Sequence, residues 1–173
     1  LTMLGLVLLY VGIVLISNGL ARISNISDKS VTVMNIFTGG LSVICNIIVI
    51  VHAKFTGEPM DFYAAATGLL FGFTYLYVAC NTLFNLDTRL YGWYSLFVAI
   101  NSIPCGILAF NHFGGDDWRM GIIWFLWGLL WLTGFIECVL KKPLGKFVGY
   151  LGIFEGIVTA WIPGFLMLIS LWN

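Results

Sequence analysis

The chain has 173 residues, of which 60% are hydrophobic and 9% are charged, and its formal net charge at pH 7 is zero. Soluble domains carry roughly 25% charged residues, so this chain has too few charges to cover a water-facing surface. Most of its outer surface must therefore meet lipid, and its neutrality gives no indication of binding to nucleic acid or to an acidic substrate.

Six long apolar runs follow one another along the chain. A helix needs about 20 apolar residues to cross a hydrocarbon core of about 30 Å. The runs that meet this requirement are Leu4–Ala21, Val31–Val51, Phe62–Phe84, Tyr91–Phe110, Met120–Leu140 and Phe147–Leu171. They are continuous rather than alternating, which excludes a transmembrane β-barrel. We therefore predict an all-α integral membrane protein, a bundle of six transmembrane helices that forms a single domain over residues 1–173.

The joints between these runs differ in their basic residues. The first, third and fifth joints contain Arg22, Lys29, Arg89, Lys141, Lys142 and Lys146. The second joint, from His52 to Asp61, contributes only Lys54, and the fourth contributes only Arg119. The positive-inside rule places the odd joints in the cytoplasm. Both termini are then expected outside, on the periplasmic side.

Titratable groups are concentrated in the two outer joints. These groups are His52, Glu58, Asp61, His112, Asp116 and Asp117. Histidine ordinarily titrates near pH ~6.5 and carboxylic acids near ~4, so acidification would charge the histidines and neutralise the acids. We predict that this set closes a transport path near neutral pH and opens it in acid. The alternative is that they are ordinary solvated loop residues.

Parts of the spans resemble one another. Leu70–Leu76 in the third span matches Leu126–Leu132 in the fifth at an offset of 56 residues, and the fourth and sixth spans share an Ile-Pro pair. This pattern predicts a helix hairpin repeated three times, as in many transport proteins. Packing periodicity is the alternative explanation for so short a match.

An acidic residue, Glu155, lies well inside the sixth span. An acid that faces lipid costs at least about 2.5–3.5 kcal/mol, so Glu155 should face the bundle interior or a water-filled cavity. We predict that it lines a pore and accepts hydrogen bonds from a solute; a buried hydrogen bond to a neighbouring helix is the alternative. Glu137 is a weaker candidate, because it can pair with Lys141 or reach the membrane interface.

Two aromatic stripes occupy the third and fifth spans. Phe71 and Tyr75 share one face of the third, and Trp124, Trp127 and Trp131 share one face of the fifth. Lipid-exposed tryptophan prefers the headgroup level, whereas Trp131 lies near the middle of its span. The stripes therefore predict a pore lining, with core packing as the alternative.

These features suit a flat, neutral solute such as urea. Aromatic walls can hold it flat, a carboxylate can accept from its N–H groups, and apolar constrictions hinder ions. The sequence contains no H-E-x-x-H, G-x-S-x-G or P-loop motif. A metal site built from His52, His112 and the outer acids has no supporting ligand spacing. We therefore expect neither an enzyme nor a metal or other cofactor.

Five stretches carry a family likeness: Met3–Gly12, Ala66–Tyr77, Trp93–Asn101, Pro143–Phe147 and Glu155–Pro163. They resemble the urea/amide channel family UreI/AmiS, and most closely the acid-activated urea channels of urease-producing bacteria. The resemblance covers nearly the whole chain. It implies a six-helix protomer in the inner membrane, assembled as a ring hexamer, with one pore in each protomer. It also implies passive transport of urea to a cytoplasmic urease for acid resistance, without nucleic acid.

The resemblance also implies the pore residues. They are Leu8, Leu15, Phe71, Tyr75, Trp124, Trp127, Trp131 and Glu155. The second and fourth joints are shorter than in the best-known acid-gated relatives, a departure that concerns acid gating and not urea permeation. The alternatives are a constitutive channel for short aliphatic amides or ammonia, and a non-transporting membrane subunit whose aromatic core merely packs.

Overall fold

The computed structural model describes residues 3–110 and 117–172, and in this part of the chain six helical spans are long and apolar enough to cross a membrane. The first five helices are α1 Met3–Ser24, α2 Asp28–Thr56, α3 Pro59–Phe84, α4 Arg89–Phe110 and α5 Trp118–Cys138. The sixth span, Lys146–Leu168, consists of α6 Lys146–Glu155, a π-helical segment Gly156–Trp161 and α7 Ile162–Leu168. The predicted all-α architecture with six spans is confirmed.

The second joint is shorter than predicted. Only Gly57 and Glu58 separate α2 from α3, so the prediction of a joint from His52 to Asp61 is wrong. Gly57 adopts the left-handed conformation (φ 72°) and its N–H donates to the carbonyl of Ala53, which ends α2 abruptly. Pro59 then occupies the first turn of α3, where a missing N–H costs nothing. His52 and Asp61 consequently lie on helical turns.

The first and third helices end in the same way. Asn25 and Asn85 both follow the last helical residue with left-handed φ angles of 53° and 51°. The N–H of the next residue then donates to the carbonyl five positions earlier, at 2.9 Å and 3.1 Å respectively. Asparagine tolerates this conformation better than most residues, so both positions terminate a helix without glycine.

The six spans form a closed ring in which each span contacts the next along the chain. The ring closes because α1 packs antiparallel against the sixth span. Gly5, Gly12 and Gly19, spaced every seven residues, form the contact face of α1. A Cβ atom at Gly12 would lie 2.6 Å from the Cβ of Trp161, so only glycine permits this approach.

The π-helical segment lies directly before Pro163. In a regular α-helix the N–H of residue 163 would donate to the carbonyl of Thr159, but proline has no N–H to donate. The helix instead becomes wider at this point, with π-helical hydrogen bonding: the N–H of Ile162 donates to the carbonyl of Ile157, five residues earlier. Glu155 is the last residue before the widened segment. Such segments often occur at functional sites.

The outer surface of the bundle is apolar. Phe37, Phe97 and Ile100, for example, each expose more than half of their surface at the middle of a span. Polar residues are instead found inside, which is the distribution expected for a protein surrounded by lipid. The four cysteines carry free thiols, as predicted: they are Cys45, Cys80, Cys105 and Cys138.

Candidate functional site

The predicted pore residues come together inside the ring, and Phe71 lies at their centre. Its ring centroid is 4.6 Å from that of Trp127 and 4.8 Å from that of Trp131, both in edge-to-face geometry. Trp124 lies 5.8 Å from Phe71 and 5.2 Å from Trp127. These contacts join one face of α3 to one face of α5, whereas the role of the two stripes as a pore lining stays a prediction.

Two of the tryptophans have satisfied indole N–H groups. Trp127 Nε1 donates to Thr159 Oγ1 at 2.8 Å, and Trp131 Nε1 donates to Thr74 Oγ1 at 3.1 Å. Thr159 in turn donates to the backbone carbonyl of Glu155 at 2.5 Å. A buried tryptophan needs a partner of this kind, and here the partner also fixes the plane of each ring.

Two cavities enter the bundle from opposite ends. The first, which we call the Arg22 cavity, has a volume of about 300 Å³ and lies where α1 and α5 end. Its lining includes Leu15, Phe71, Tyr75, Trp127 and Trp131. The second, the Met3 cavity, has a volume of about 220 Å³ and is lined in part by Leu8, Phe71, Trp124 and Trp127. Phe71 and Trp127 belong to both linings, so they form the partition between the cavities.

Glu155 is fully buried beside this partition, with an exposed fraction of 0%. Within residues 3–110 and 117–172, neither of its carboxyl oxygens has a hydrogen-bond partner. It belongs to the lining of neither cavity. The prediction that it faces the interior rather than lipid agrees with its burial, whereas its contact with a solute stays a prediction.

The Arg22 cavity has a charged end. Arg22, at the end of α1, forms an ion pair with Glu137, at the end of α5. Glu137 also accepts a hydrogen bond from the N–H of Leu144 at 2.9 Å, and Arg22 Nε donates to the carbonyl of Gly145 at 2.7 Å. The partner of Glu137 is therefore Arg22 rather than Lys141, because the ring brings the ends of α1 and α5 together.

The Met3 cavity is more apolar, and its polar groups come from α2 and α3. Asn46 is buried at this cavity and donates to the carbonyl of Ser42 at 2.7 Å. Tyr63 and Thr67 complete the polar part of the lining. This end therefore offers a few fixed polar groups beside a largely apolar wall.

The predicted gating residues are distributed over two places. His52 Nδ1 lies 3.3 Å from Asp61 Oδ2, and Thr56 Oγ1 donates to the same oxygen at 3.4 Å, across the turn that contains Glu58. The imidazole is 68% exposed, so it is freely accessible to protons from water. Two more of the predicted gating residues, His112 and Asp116, lie outside the described residues.

Asp117 is part of a compact cluster at the start of α5. It accepts from the N–H of Arg119 at 3.1 Å, and thereby caps the helix, and from Trp172 Nε1 at 2.6 Å. The guanidinium of Arg119 lies 4.2 Å from the centroid of the Trp172 ring. Asp117 therefore joins the start of α5 to the segment that follows the sixth span.

Sequence reasoning missed several residues of the site. Thr74 and Thr159 were detectable in principle, because each is a hydroxyl residue within an apolar span and a buried indole needs an acceptor. Arg22 gave no signal beyond its contribution to the positive-inside count. Its role at the cavity depends on Glu137, which lies 115 residues away in the sequence.

Comparison with known proteins places these features in a family. The family model described as the AmiS/UreI family transporter matches residues 3–171. The acid-activated urea channel of Helicobacter pylori strain 26695 is 52% identical over 98% of this chain and 100% of that protein. That alignment covers 198 positions, more than the 173 residues of this chain, so the relative contains insertions. A putative amidate substrates transporter protein of Mycolicibacterium smegmatis is 39% identical over 98% of this chain and 78% of its own length.

Two solved structures have the same fold. The crystal structure of the urea channel from Helicobacter pylori superposes with a TM-score of 0.91 at 55% identity, over 99% of this chain and 100% of that one. The cryo-electron microscopy structure of the Helicobacter pylori urea channel in a closed state gives a TM-score of 0.89 at 53% identity, with the same coverage.

Proposed function

Because the chain belongs to the AmiS/UreI family of transporters, we propose that it is a passive, acid-gated channel for urea in a bacterial inner membrane. The multi-pass membrane architecture and the transporter family are established, so the protein is not an enzyme. The 52% identity to an acid-activated urea channel, over 98% of this chain, supports urea as the permeant.

The observation that carries the proposal is the aromatic partition. Two cavities approach each other from opposite ends of the bundle and are separated by Phe71 and Trp127. The indole N–H of Trp127 is already bonded to Thr159, so the partition presents mainly ring faces and edges. Such a wall offers few polar groups to replace the water around an ion, so an ion would lose its hydration free energy without compensation. A flat neutral solute can pass between the rings without this dehydration cost.

The remaining predicted pore residues fit a path through this partition. Leu8 and Trp124 line the approach from the Met3 cavity, and Leu15, Tyr75 and Trp131 line the approach from the Arg22 cavity. In the proposed mechanism Glu155, which has no hydrogen-bond partner in the described residues, accepts from an N–H of urea during passage. A small rotation of its side chain toward the partition would then be part of each transport event.

The proposed acid gate centres on the turn between α2 and α3. Protonation of His52 converts its 3.3 Å contact with Asp61 into an ion pair. This pair would pull the last turn of α2 toward the first turn of α3 and change the width of the nearby Met3 cavity, which both helices line. Glu58 and Asp117 are assigned auxiliary roles in the same gate, as are His112 and Asp116, which lie beyond the described residues.

Further properties belong to the same proposal. The odd joints face the cytoplasm and both termini face the periplasm, so the Arg22 cavity opens inside the cell. The protomer is one domain built from three helix hairpins, and this part of the proposal depends on the sequence matches between the third and fifth spans and between the fourth and sixth spans. It assembles as a homohexamer and supplies urea to a cytoplasmic urease for acid resistance.

One alternative has an observation of its own. The mycolicibacterial relative is named as a transporter of amidate substrates, so short aliphatic amides are the second candidate permeants. The partition would also admit acetamide, which is flat at its amide group and neutral. A comparison of urea with acetamide in one assay distinguishes the two candidates.

The decisive experiment measures solute flux into proteoliposomes by stopped-flow light scattering, at pH 5 and at pH 7.5, with protein-free liposomes as the control. We expect urea flux above the control at pH 5 and a much smaller flux at pH 7.5. His52→Gln should reduce this pH ratio. Equal flux at both pH values would refute acid gating, and no flux at either would refute the channel.

A further inference from the structure

The ion pair at the end of the Arg22 cavity has no role in the passage described above. Arg22 and Glu137 are the charged residues among the described residues that line this cavity. Their side chains are partly exposed, at 36% and 19%, so both are in contact with the water of the cavity. They face each other from the ends of two different helices and carry opposite charges, so the cavity end has no net charge.

Glu137 is held in place by more than its ionic partner. It also accepts a hydrogen bond from the N–H of Leu144, and Arg22 donates one to the carbonyl of Gly145 in the same loop. These two backbone contacts fix both charged groups in front of α6. Replacement of Arg22 by a neutral residue would therefore leave Glu137 at the cavity, as a single negative charge without its ionic partner.

A lone carboxylate at the mouth of a pore attracts cations, which is how rings of acidic residues select cations in other channels. The aromatic partition sorts solutes by shape as well as by hydration. A planar, weakly hydrated cation with the outline of urea would therefore be the most difficult ion for this channel to reject. Guanidinium is such a cation, because it is planar and has three amino groups around one carbon.

We propose that Arg22 is a specificity-determining residue, which neutralises Glu137 and prevents planar cations from accumulating in the Arg22 cavity. This inference deepens the proposed urea function and depends on it. A unit charge about 7 Å away in a water-like medium changes the local concentration of a monovalent cation about threefold. Guanidinium should therefore inhibit urea flux about threefold more strongly once Glu137 has lost its partner.

The test measures inhibition of urea flux by millimolar guanidinium chloride, added to both sides of the proteoliposome membrane so that protein orientation does not matter. Arg22→Gln should lower the half-inhibitory concentration about threefold, and Glu137→Gln should raise it by a similar factor. The double variant carries no net charge at this position and should match the original protein, as should Arg22→Lys. In 1 M sodium chloride, where the screening length is about 3 Å, the differences should shrink.

A matched control is available at the same end of the bundle. Arg89 pairs with Asp87 at 2.5 Å, but this pair is highly exposed and does not line the cavity. Arg89→Gln removes the same charge from the same side and should leave guanidinium inhibition unchanged. An equal shift in Arg89→Gln and Arg22→Gln would overturn the inference, because it would indicate a general surface potential.

Other results also decide the question. A reduced urea flux in Arg22→Gln with unaltered guanidinium inhibition would assign the pair a purely structural role and overturn the inference. If Arg22→Gln does not fold, the comparison of Glu137→Gln with the original protein still tests the sign of the effect. An absence of urea flux in the original protein would refute the proposed function itself, and this inference with it.

Discussion

The partition between the two cavities gives the sharpest prediction about selectivity. Phe71→Ala removes the ring that lies 4.6 Å and 4.8 Å from Trp127 and Trp131, and thus allows the Arg22 cavity and the Met3 cavity to merge. Urea should still pass, and N,N′-dimethylurea, which is wider by its methyl groups, should pass far more readily than before.

The size of the effect follows from the packing. One methylene group in a tight pocket typically discriminates 10–200-fold, so the ratio of dimethylurea flux to urea flux should rise by about tenfold or more. The truncation also removes three aromatic contacts around a buried side chain that is only 7% exposed. Comparable truncations cost about 3–5 kcal/mol of stability in soluble proteins, so Phe71→Leu serves as a milder second variant.

The assay is stopped-flow flux of both solutes at pH 5, with the protein content of the liposomes measured in parallel. Phe73→Ala is the matched control, since Phe73 lies two residues away on α3 but exposes 48% of its surface on the outside of the bundle. An unchanged flux ratio in folded Phe71→Ala, or the same change in Phe73→Ala, would refute the assignment of Phe71 to the partition.

Three further predictions concern stability and pH. Thr159→Val removes the acceptor of the Trp127 indole N–H and should cost about 1–3 kcal/mol of unfolding free energy in detergent, whereas Thr159→Ser should retain most of it. Gly12→Val inserts a side chain where even a Cβ atom would lie 2.6 Å from the Cβ of Trp161, and it should cost at least about 1–3 kcal/mol of unfolding free energy. Gly40→Val, with open space around it, should be tolerated in the same thermal-denaturation assay. Hydrogen bonds from Arg89 hold the pKa of Asp87 at about 2. The stabilisation of the folded state by this carboxylate is therefore fully present above the ordinary aspartate pKa of ~3.9, and it is lost only as the pH falls toward 2. Asp87→Asn should therefore leave the ratio of urea flux at pH 5 to that at pH 7.5 unchanged, and a changed ratio would contradict this assignment.

The spans and the aromatic face were predictable because each depends on local pattern. Apolar length alone located six helices, and the spacing of Trp124, Trp127 and Trp131 placed them on one side of α5. The burial of Glu155 followed from the cost of placing an acid against lipid. In each case one segment of sequence contained the whole physical argument.

The features that sequence reasoning missed depend on pairs of distant segments. The bond from Trp127 to Thr159 and the ion pair of Arg22 with Glu137 require the ring of helices to be closed first. The short turn between α2 and α3 was missed for a different reason. His52 and Asp61 are polar and were assigned to a loop, although Gly57 reverses the chain within two residues.

The closure of the ring by α1 and the sixth span also has a consequence for biosynthesis. The glycine face of α1 has its partner in the sixth span, which begins at Lys146 and is synthesised more than a hundred residues later. At the usual synthesis rates, roughly 7–30 s pass between the emergence of the two segments from the ribosome. During that time α1 must wait in the bilayer, or beside an insertion factor, with its narrowest face uncovered. Of the six helical spans described, α1 is thus the earliest to be synthesised and must wait for the sixth to complete its contacts.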